Sequence, residues 1–268
     1  MAPARRRLLL ALLLAPFAAA AAVADGGNSR IGIVVMHGKG GSPTKFVAEL
    51  AERLEQQGFL VANLEMPWSG RRNYDVTVDA AAAEVEAALS SLRAKGAQRV
   101  FVAGHSQGGL FALYFGVSHA VDGIIAIAPG GSVNSPVFRD KLGDSVELAR
   151  RLLADGKGDE KVPFLDYEGS RGTSPVLTTP RIYLDWFDPA GAMDQLKAVR
   201  ALNPATPVLF IVPTGDYPGL LRVKQQMVDA LPRHPRTKLY EPDASHLGAP
   251  SASVREIADW LVGVANPR

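Results

Sequence analysis

The sequence predicts an α/β fold: a mostly parallel sheet of about six strands, with helices on both faces and one cap insertion. Three observations carry this. Six short apolar runs recur along the chain without the alternation expected of a sheet with one wet face. Between them lie segments with apolar residues at helical spacing. The rhythm then breaks once, between about residues 131 and 201. At 268 residues, 47% hydrophobic and 21% charged, the chain can bury a sizeable core, which excludes disorder, collagen or coiled coil for the whole.

The elements follow in order. Ile31 to Met36 is a continuous apolar run ending at His37-Gly38. Phe46, Leu50 and Leu54 recur at four-residue spacing, and Gly58 closes that helix. Phe59 to Leu64 reads as a second strand. A helix from about Asp79 carries Val85, Leu89 and Leu92 on one face and stops at Gly96. Val100 to Ala103 is a third strand, followed by a helix through Tyr114. Ile124 to Ala128, Val208 to Val212 and Lys238 to Tyr240 complete the set. A last helix, about Ser251 to Val264, turns Ile257, Leu261 and Val264 inward. In the break, a charged helix from Asp144 to Ala154 is expected, then a loop-rich segment ending at Trp186-Phe187-Asp188-Pro189. No strong strand reads there, and an insertion of this size is expected to be a cap or lid.

The N-terminus belongs to targeting. Arg5, Arg6 and Arg7 precede the apolar run Leu8 to Phe17 and then alanines up to Ala24, the pattern of a cleavable secretory signal. The strongly apolar part is shorter than the ~20 residues that span a bilayer. Residues 1–24 are therefore expected to be removed, at Ala24 or at Ala22, with residues 25–268 as one domain. The protein is expected in the periplasm or medium, with no stable membrane anchor. Cleavage leaves 26 basic and 27 acidic side chains, a net charge of −1, so no nucleic-acid or anionic-membrane partner is implied. The absence of cysteine excludes a thiol nucleophile, a zinc ribbon or an iron–sulfur site, and suits an oxidising compartment. None of the five histidines pair at metal-ligand spacing, so no metal is expected.

Chemistry concentrates in Val100-Phe-Val-Ala-Gly-His-Ser-Gln-Gly-Gly109, which sets Ser106 in a G-x-S-x-G frame between a buried strand and a helix. Such a sharp turn strains the serine backbone and leaves no room for side chains at Gly104 and Gly108. The helix N-terminus adds positive potential beneath the hydroxyl. A serine nucleophile needs a base, and the base needs an orienting acid. His37 follows the first strand, His119 sits near a helix end, His234 lies in a Pro-rich turn, and His105 points the other way along the serine turn. His246 remains, in Asp243-Ala-Ser-His-Leu-Gly248, between the last strand and the last helix. The candidate acid is Asp216, directly after the fifth strand; Asp243 is its rival.

Two backbone donors are needed for a tetrahedral oxyanion. Gln107, next after the serine, supplies one, and Lys39 in His37-Gly-Lys-Gly-Gly-Ser-Pro43 is placed for the other. That glycine-rich loop is not a nucleotide site. Walker A is absent, and a dinucleotide fingerprint from Gly38 would need glycine where Pro43 stands. No cofactor is expected.

The combination of His37-Gly38, Gly104-His-Ser-Gln-Gly108, Asp216 and His246 resembles the α/β-hydrolase superfamily, in its exported esterase/lipase-like branch. The similarity runs from about residue 30 to 264, and the chain order Ser106, Asp216, His246 fits it. The resemblance implies a triad of those three residues, an oxyanion hole from Lys39 and Gln107, and a small-molecule ester substrate cleaved through an acyl-enzyme. Thioester, amide or peptide cleavage on the same triad is the alternative; a binding protein that kept the fold is a third. Too few residues precede Ile31 for the two N-terminal strands of the eight-stranded version, so a smaller sheet is expected.

Substrate is less legible. Trp68, Arg71 and Arg72 follow the second strand, where ligands of open α/β sheets sit; they either offer an apolar face and planar donors for an anionic group or form a solvated basic turn whose tryptophan props the helix that follows. Trp186, with Tyr183 and Phe187, could line an apolar acyl or aryl site or simply pack the cap onto the sheet.

Overall fold

The computed structural model describes residues 27–169 and 171–266; the signal-peptide reading of residues 1–24 lies outside them. A short 3₁₀ turn, Gly27–Arg30, leads into β1 (Ile31–Met36). Then come α1 (Ala48–Gln56), β2 (Leu60–Leu64), α2 (Val78–Ala94), β3 (Arg99–His105), α3 (Gln107–Ser118) and β4 (Gly123–Ile127). The insertion follows: α4 (Pro136–Ala154), β5 (Val162–Glu168), β6 (Gly172–Thr178), α5 (Pro180–Phe187) and α6 (Gln195–Ala201). The chain finishes with β7 (Val208–Ile211), α7 (Pro218–Ala230), β8 (Lys238–Tyr240), α8 (Ala249–Ala252) and α9 (Val254–Ala265).

Among the described residues the main sheet has six strands in the order β2-β1-β3-β4-β7-β8, all parallel. This is the predicted architecture. Both faces are dry, as the unbroken apolar runs require. Ile31, Ile33 and Val35 pack with Leu50 and Leu54 of α1 and with Ile257 and Leu261 of α9. Val34 and Met36 face the opposite way, toward Val85 and Leu89 of α2 and Leu110 and Phe111 of α3. Helix α3 is apolar nearly all round, and the insertion covers the side that the sheet does not.

The insertion contains an antiparallel hairpin, β5 with β6, where no strand was expected. Its pattern is inverted at the decisive positions. Phe164 and Val176 point inward, but so do Asp166 and Thr178, whereas Leu165 and Leu177 are exposed. A charged residue facing in and leucines facing out erase the alternation that marks a strand. Pro163 and Pro175 mask it further, and both are tolerated because a two-stranded sheet consists of edges. Helix α4 also begins earlier than Asp144, at Pro136, with the Ser135 hydroxyl accepting from Phe138 N–H.

A run of aromatic contacts joins the insertion to the sheet layer. Phe164 stacks on Tyr183 at 4.4 Å, Tyr183 on Phe187 at 4.5 Å, and Phe187 meets Tyr74 at 4.9 Å. Tyr74 meets Trp186, which meets Trp68 and Phe111. Each such pair contributes about 0.5–1.5 kcal/mol beyond its buried area. Because every strand of the main sheet runs the same way, the loops after β1, β2, β3, β4, β7 and β8 all emerge on one edge. That edge carries the site.

Candidate active site

Ser106 occupies the turn between β3 and α3 with φ 54° and ψ −116°, a left-handed conformation that costs a non-glycine residue about 1–3 kcal/mol. Neighbouring backbone holds it there. Ser106 N–H donates to Ile127 O at 2.9 Å, and Gly130 N–H donates to Ser106 O at 3.1 Å. A Cβ at Gly104 would overlap the Gly108 carbonyl, and one at Gly108 would stand 2.6 Å from Met36 O. The two glycines are thus steric requirements of the turn. Gln107 is the first residue of α3, so its N–H has no intrahelical acceptor and joins the positive end of that helix.

His246 and Asp216 meet at 2.7 Å, Nδ1 to Oδ1, with both residues buried. A carboxylate only accepts, so the imidazole carries its proton on Nδ1 and turns a lone pair outward at Nε2. The two loops are tied as well: Gly215 N–H donates to Ala244 O, and Thr214 N–H to Pro242 O, each at 3.0 Å. Asp216 Oδ1 also accepts from Tyr217 N–H at 2.7 Å. Asp243, the rival acid, is exposed and accepts from the Thr214 hydroxyl. Of the two carboxylates, Asp216 is the one on the histidine.

Two supports of His246 were not foreseen. The Tyr217 ring stacks on it at 4.3 Å, and His105 Nε2–H donates to its carbonyl at 2.9 Å. Burial, reinforced by the neighbouring His246, pushes His105 down to about 3, so it stays a neutral donor. The residue directly before the serine therefore anchors the histidine loop. His119, stacked on Phe115 and bonded to its carbonyl, and His234, in the turn before Arg236, are ordinary structural histidines.

The loop after β1 lies against the serine. A Cβ at Gly38 would be 3.1 Å from Ser106 Cβ and 3.0 Å from His105 Nδ1. Gly40 N–H is committed to Trp68 O at 3.1 Å and Gly41 N–H to Gly38 O at 3.0 Å, so neither competes with Lys39 as the loop's donor. His37 shapes this loop, a role the sequence did not announce. Its Nδ1–H donates to Gly38 O at 2.7 Å, and its Nε2 accepts from Met66 N–H at 3.0 Å. Desolvation lowers its pKa, which favours this neutral tautomer.

The residues suggested for substrate binding are placed elsewhere. Trp68 is 2% exposed, and its indole N–H donates to His37 O at 2.8 Å. Trp186 is 1% exposed and donates to Val76 O at 2.8 Å. Both tryptophans pack the insertion onto the sheet layer instead of lining a cleft. Arg72 bonds both oxygens of Glu84 at 2.6 and 2.7 Å, along with Asp75 and Glu65 O, and these partners raise its pKa. Arg71 pairs with Glu65 and is otherwise exposed. Four acids, at 65, 75, 79 and 84, flank the basic pair, and three of them pair with it or brace its loop.

A mostly apolar cavity of about 220 Å³ opens in the insertion, walled by Val133, Phe138, Leu142, Val146, Phe187 and Pro189, with Arg139 and Arg150 also on its lining. Val133 stands just past the loop after β4, whose Gly130 braces Ser106.

Solved structures with the same architecture include a monoacylglycerol lipase from Paleococcus ferrophilus, 21% identical, covering 87% of this chain and 94% of that one, with TM-score 0.61. A carboxyl esterase from Bacillus coagulans is 15% identical over 88% and 89%, with TM-score 0.63. A proline iminopeptidase from Mycobacterium smegmatis is 18% identical over 88% and 90%, with TM-score 0.53. No curated protein matches the chain. At these identities the likeness is one of fold. Residues 33–260, nearly the whole described chain, match the model of the alpha/beta hydrolase family, and the protein belongs to that family.

Proposed function

We propose that the protein is a serine hydrolase that cleaves carboxylic esters through an acyl-enzyme. The observation that carries this is the buried Nδ1–Oδ1 pair of His246 and Asp216, on the sheet edge where Ser106 is held in its strained turn. In this reading His246 Nε2 takes the Ser106 proton as Oγ attacks the ester carbon. The oxyanion is held by the N–H groups of Gln107 and Lys39. His246 then protonates the departing alcohol. A water molecule, deprotonated by the same nitrogen, attacks the acyl-serine and releases the acid. Asp216 keeps the imidazole in the tautomer this requires.

The apolar cavity beside Phe138 and Phe187 is suited to the hydrocarbon part of the ester. The arginine-rich leader with its alanine end supports export, so the reaction is placed in the periplasm or medium. Peptide or amide cleavage is the rival reading, favoured by the iminopeptidase among the neighbours.

The test combines a fluorophosphonate probe with p-nitrophenyl esters of rising chain length and aminoacyl p-nitroanilides. Labelling at Ser106, with ester turnover lost in Ser106→Ala, is expected. Turnover surviving in that variant would defeat the mechanism, and faster anilide than ester cleavage would favour the rival.

A further inference from the structure

The loop that supplies Lys39 has almost no side chains of its own. Gly38, Gly40 and Gly41 surround the lysine, so the Lys39 side chain is the one long handle of that stretch. That handle is gripped from the insertion, 127 residues further along the chain. Lys39 Nζ donates to Asp166 Oδ1 at 2.6 Å and to Tyr167 O at 3.2 Å. It also lies over the rings of Phe138 at 5.1 Å and Phe187 at 5.6 Å.

The carboxylate is held in turn. Asp166 Oδ1 accepts from Tyr167 N–H at 2.7 Å, and Oδ2 from the Tyr74 hydroxyl at 3.1 Å. The two charged side chains are only 11% and 6% exposed. Such a pair gains little stability, since apolar residues of similar volume would fold as well or better there. What it does provide is a single position for the ammonium at the end of that side chain.

We propose that Asp166 is a positioning residue for the oxyanion hole: by gripping Lys39 it sets the direction of the backbone N–H that the same lysine offers to the tetrahedral intermediate. The inference rests on the serine-esterase reading of Ser106. It makes the seating of the β5–β6 hairpin a condition for full rate. A donor displaced by a fraction of an ångström stabilises the intermediate less while leaving ground-state binding intact. The alternative is a staple that merely fastens the insertion, with no bearing on the oxyanion.

The experiment compares full-length wild type with Asp166→Asn, Asp166→Glu and the double variant Lys39→Met/Asp166→Leu, which replaces the ion pair by an apolar contact. Each is measured for kcat and KM on p-nitrophenyl butyrate, for the inhibition constant of a trifluoromethyl ketone, and for Tm. Fluorophosphonate labelling of Ser106 is followed in parallel. Positioning requires kcat to fall about ten- to a hundredfold in Asp166→Asn with KM within about twofold. Affinity for the ketone, which mimics the intermediate, should weaken by the same factor. Asp166→Glu should recover part of the rate. The double variant should keep or raise Tm and still be slow, which separates rate from folding. A double variant with wild-type kcat, or a lowered Tm with unchanged kcat in the folded Asp166→Asn protein, would reduce the pair to a staple. A wild type that neither labels nor turns over esters would overturn the esterase reading and this proposal with it. An active wild type with unaffected variants overturns the positioning role alone.

Discussion

Asp216 Oδ1 and His246 Nδ1 approach to 2.7 Å from loops that follow different strands, β7 and β8. Backbone bonds between those loops make the approach a property of the sheet edge and not of two flexible side chains. Asp216→Asn should therefore keep the geometry but remove the negative charge that, in the esterase reading, stabilises the imidazolium formed as Nε2 takes the serine proton. A loss of about 10⁴ in kcat is expected on that account. Asp243→Asn, which touches only the Thr214 hydroxyl, should cost less than about threefold. Steady-state kinetics of the two variants on one ester decide it, and a larger loss in Asp243→Asn would reassign the acid.

The strain at Ser106 gives a prediction in which stability and activity move oppositely. At φ 54° glycine is relaxed where serine is not. Ser106→Gly should abolish turnover and raise stability by about 1 kcal/mol, read as roughly 2–4 °C in Tm. Ser106→Ala keeps the strain and should leave Tm almost unchanged. If glycine proved less stable than alanine at 106, the turn would not be strained in the way its dihedral angles indicate.

His105 predicts an acid limb in the stability profile. Its pKa is lowered to about 3 in the folded chain, chiefly by burial, against an unfolded value near 6.5. The unfolded chain then binds more protons between those values, so its contribution is full above about pH 6.5 and drains away as pH falls toward 3. One such group gives a slope of about 1.4 kcal/mol per pH unit in the middle of that window. His37, lowered by the same cause, adds to it. His105→Gln retains a donor for His246 O but does not titrate, so the urea midpoint should fall less between pH 7 and pH 5 than in wild type. Parallel curves for the two proteins would contradict the assignment.

How far the sequence could be read depends on what each signal means physically. The main sheet was legible because strands dry on both faces are written as apolar runs, and the serine turn because two glycines bracket it for steric reasons. His246 emerged once the other four histidines had been placed after the first strand, beside the serine, near a helix end and in a turn. The hairpin was illegible because Asp166 faces inward for the sake of Lys39, a partner 127 residues away. The partners of Arg72 were hidden for a related reason: local charge shows a cation, while the acids at 75 and 84 are revealed as its partners only by the fold. Tyr217 beside His246 left no mark at all, since stacking has no spacing rule across loops.

Gly143 offers a test of where the acyl chain goes. It lies within α4 and borders the apolar cavity, and a Cβ built there meets nothing within 4 Å. A larger residue thus gains helix propensity, about 0.8–1.0 kcal/mol for alanine over glycine, without a clash at its root. Leucine would add bulk on the lining of a cavity of about 220 Å³. If the hydrocarbon part of the ester occupies this cavity, Gly143→Leu should lower kcat/KM for octanoate about tenfold while leaving acetate within about twofold, since a few methylenes of apolar contact are worth about 1–3 kcal/mol. Tm should rise slightly in the same protein, so the loss on the long ester would not reflect damage to the fold. An unchanged chain-length profile in a stable Gly143→Leu protein would place the acyl site elsewhere along the sheet edge.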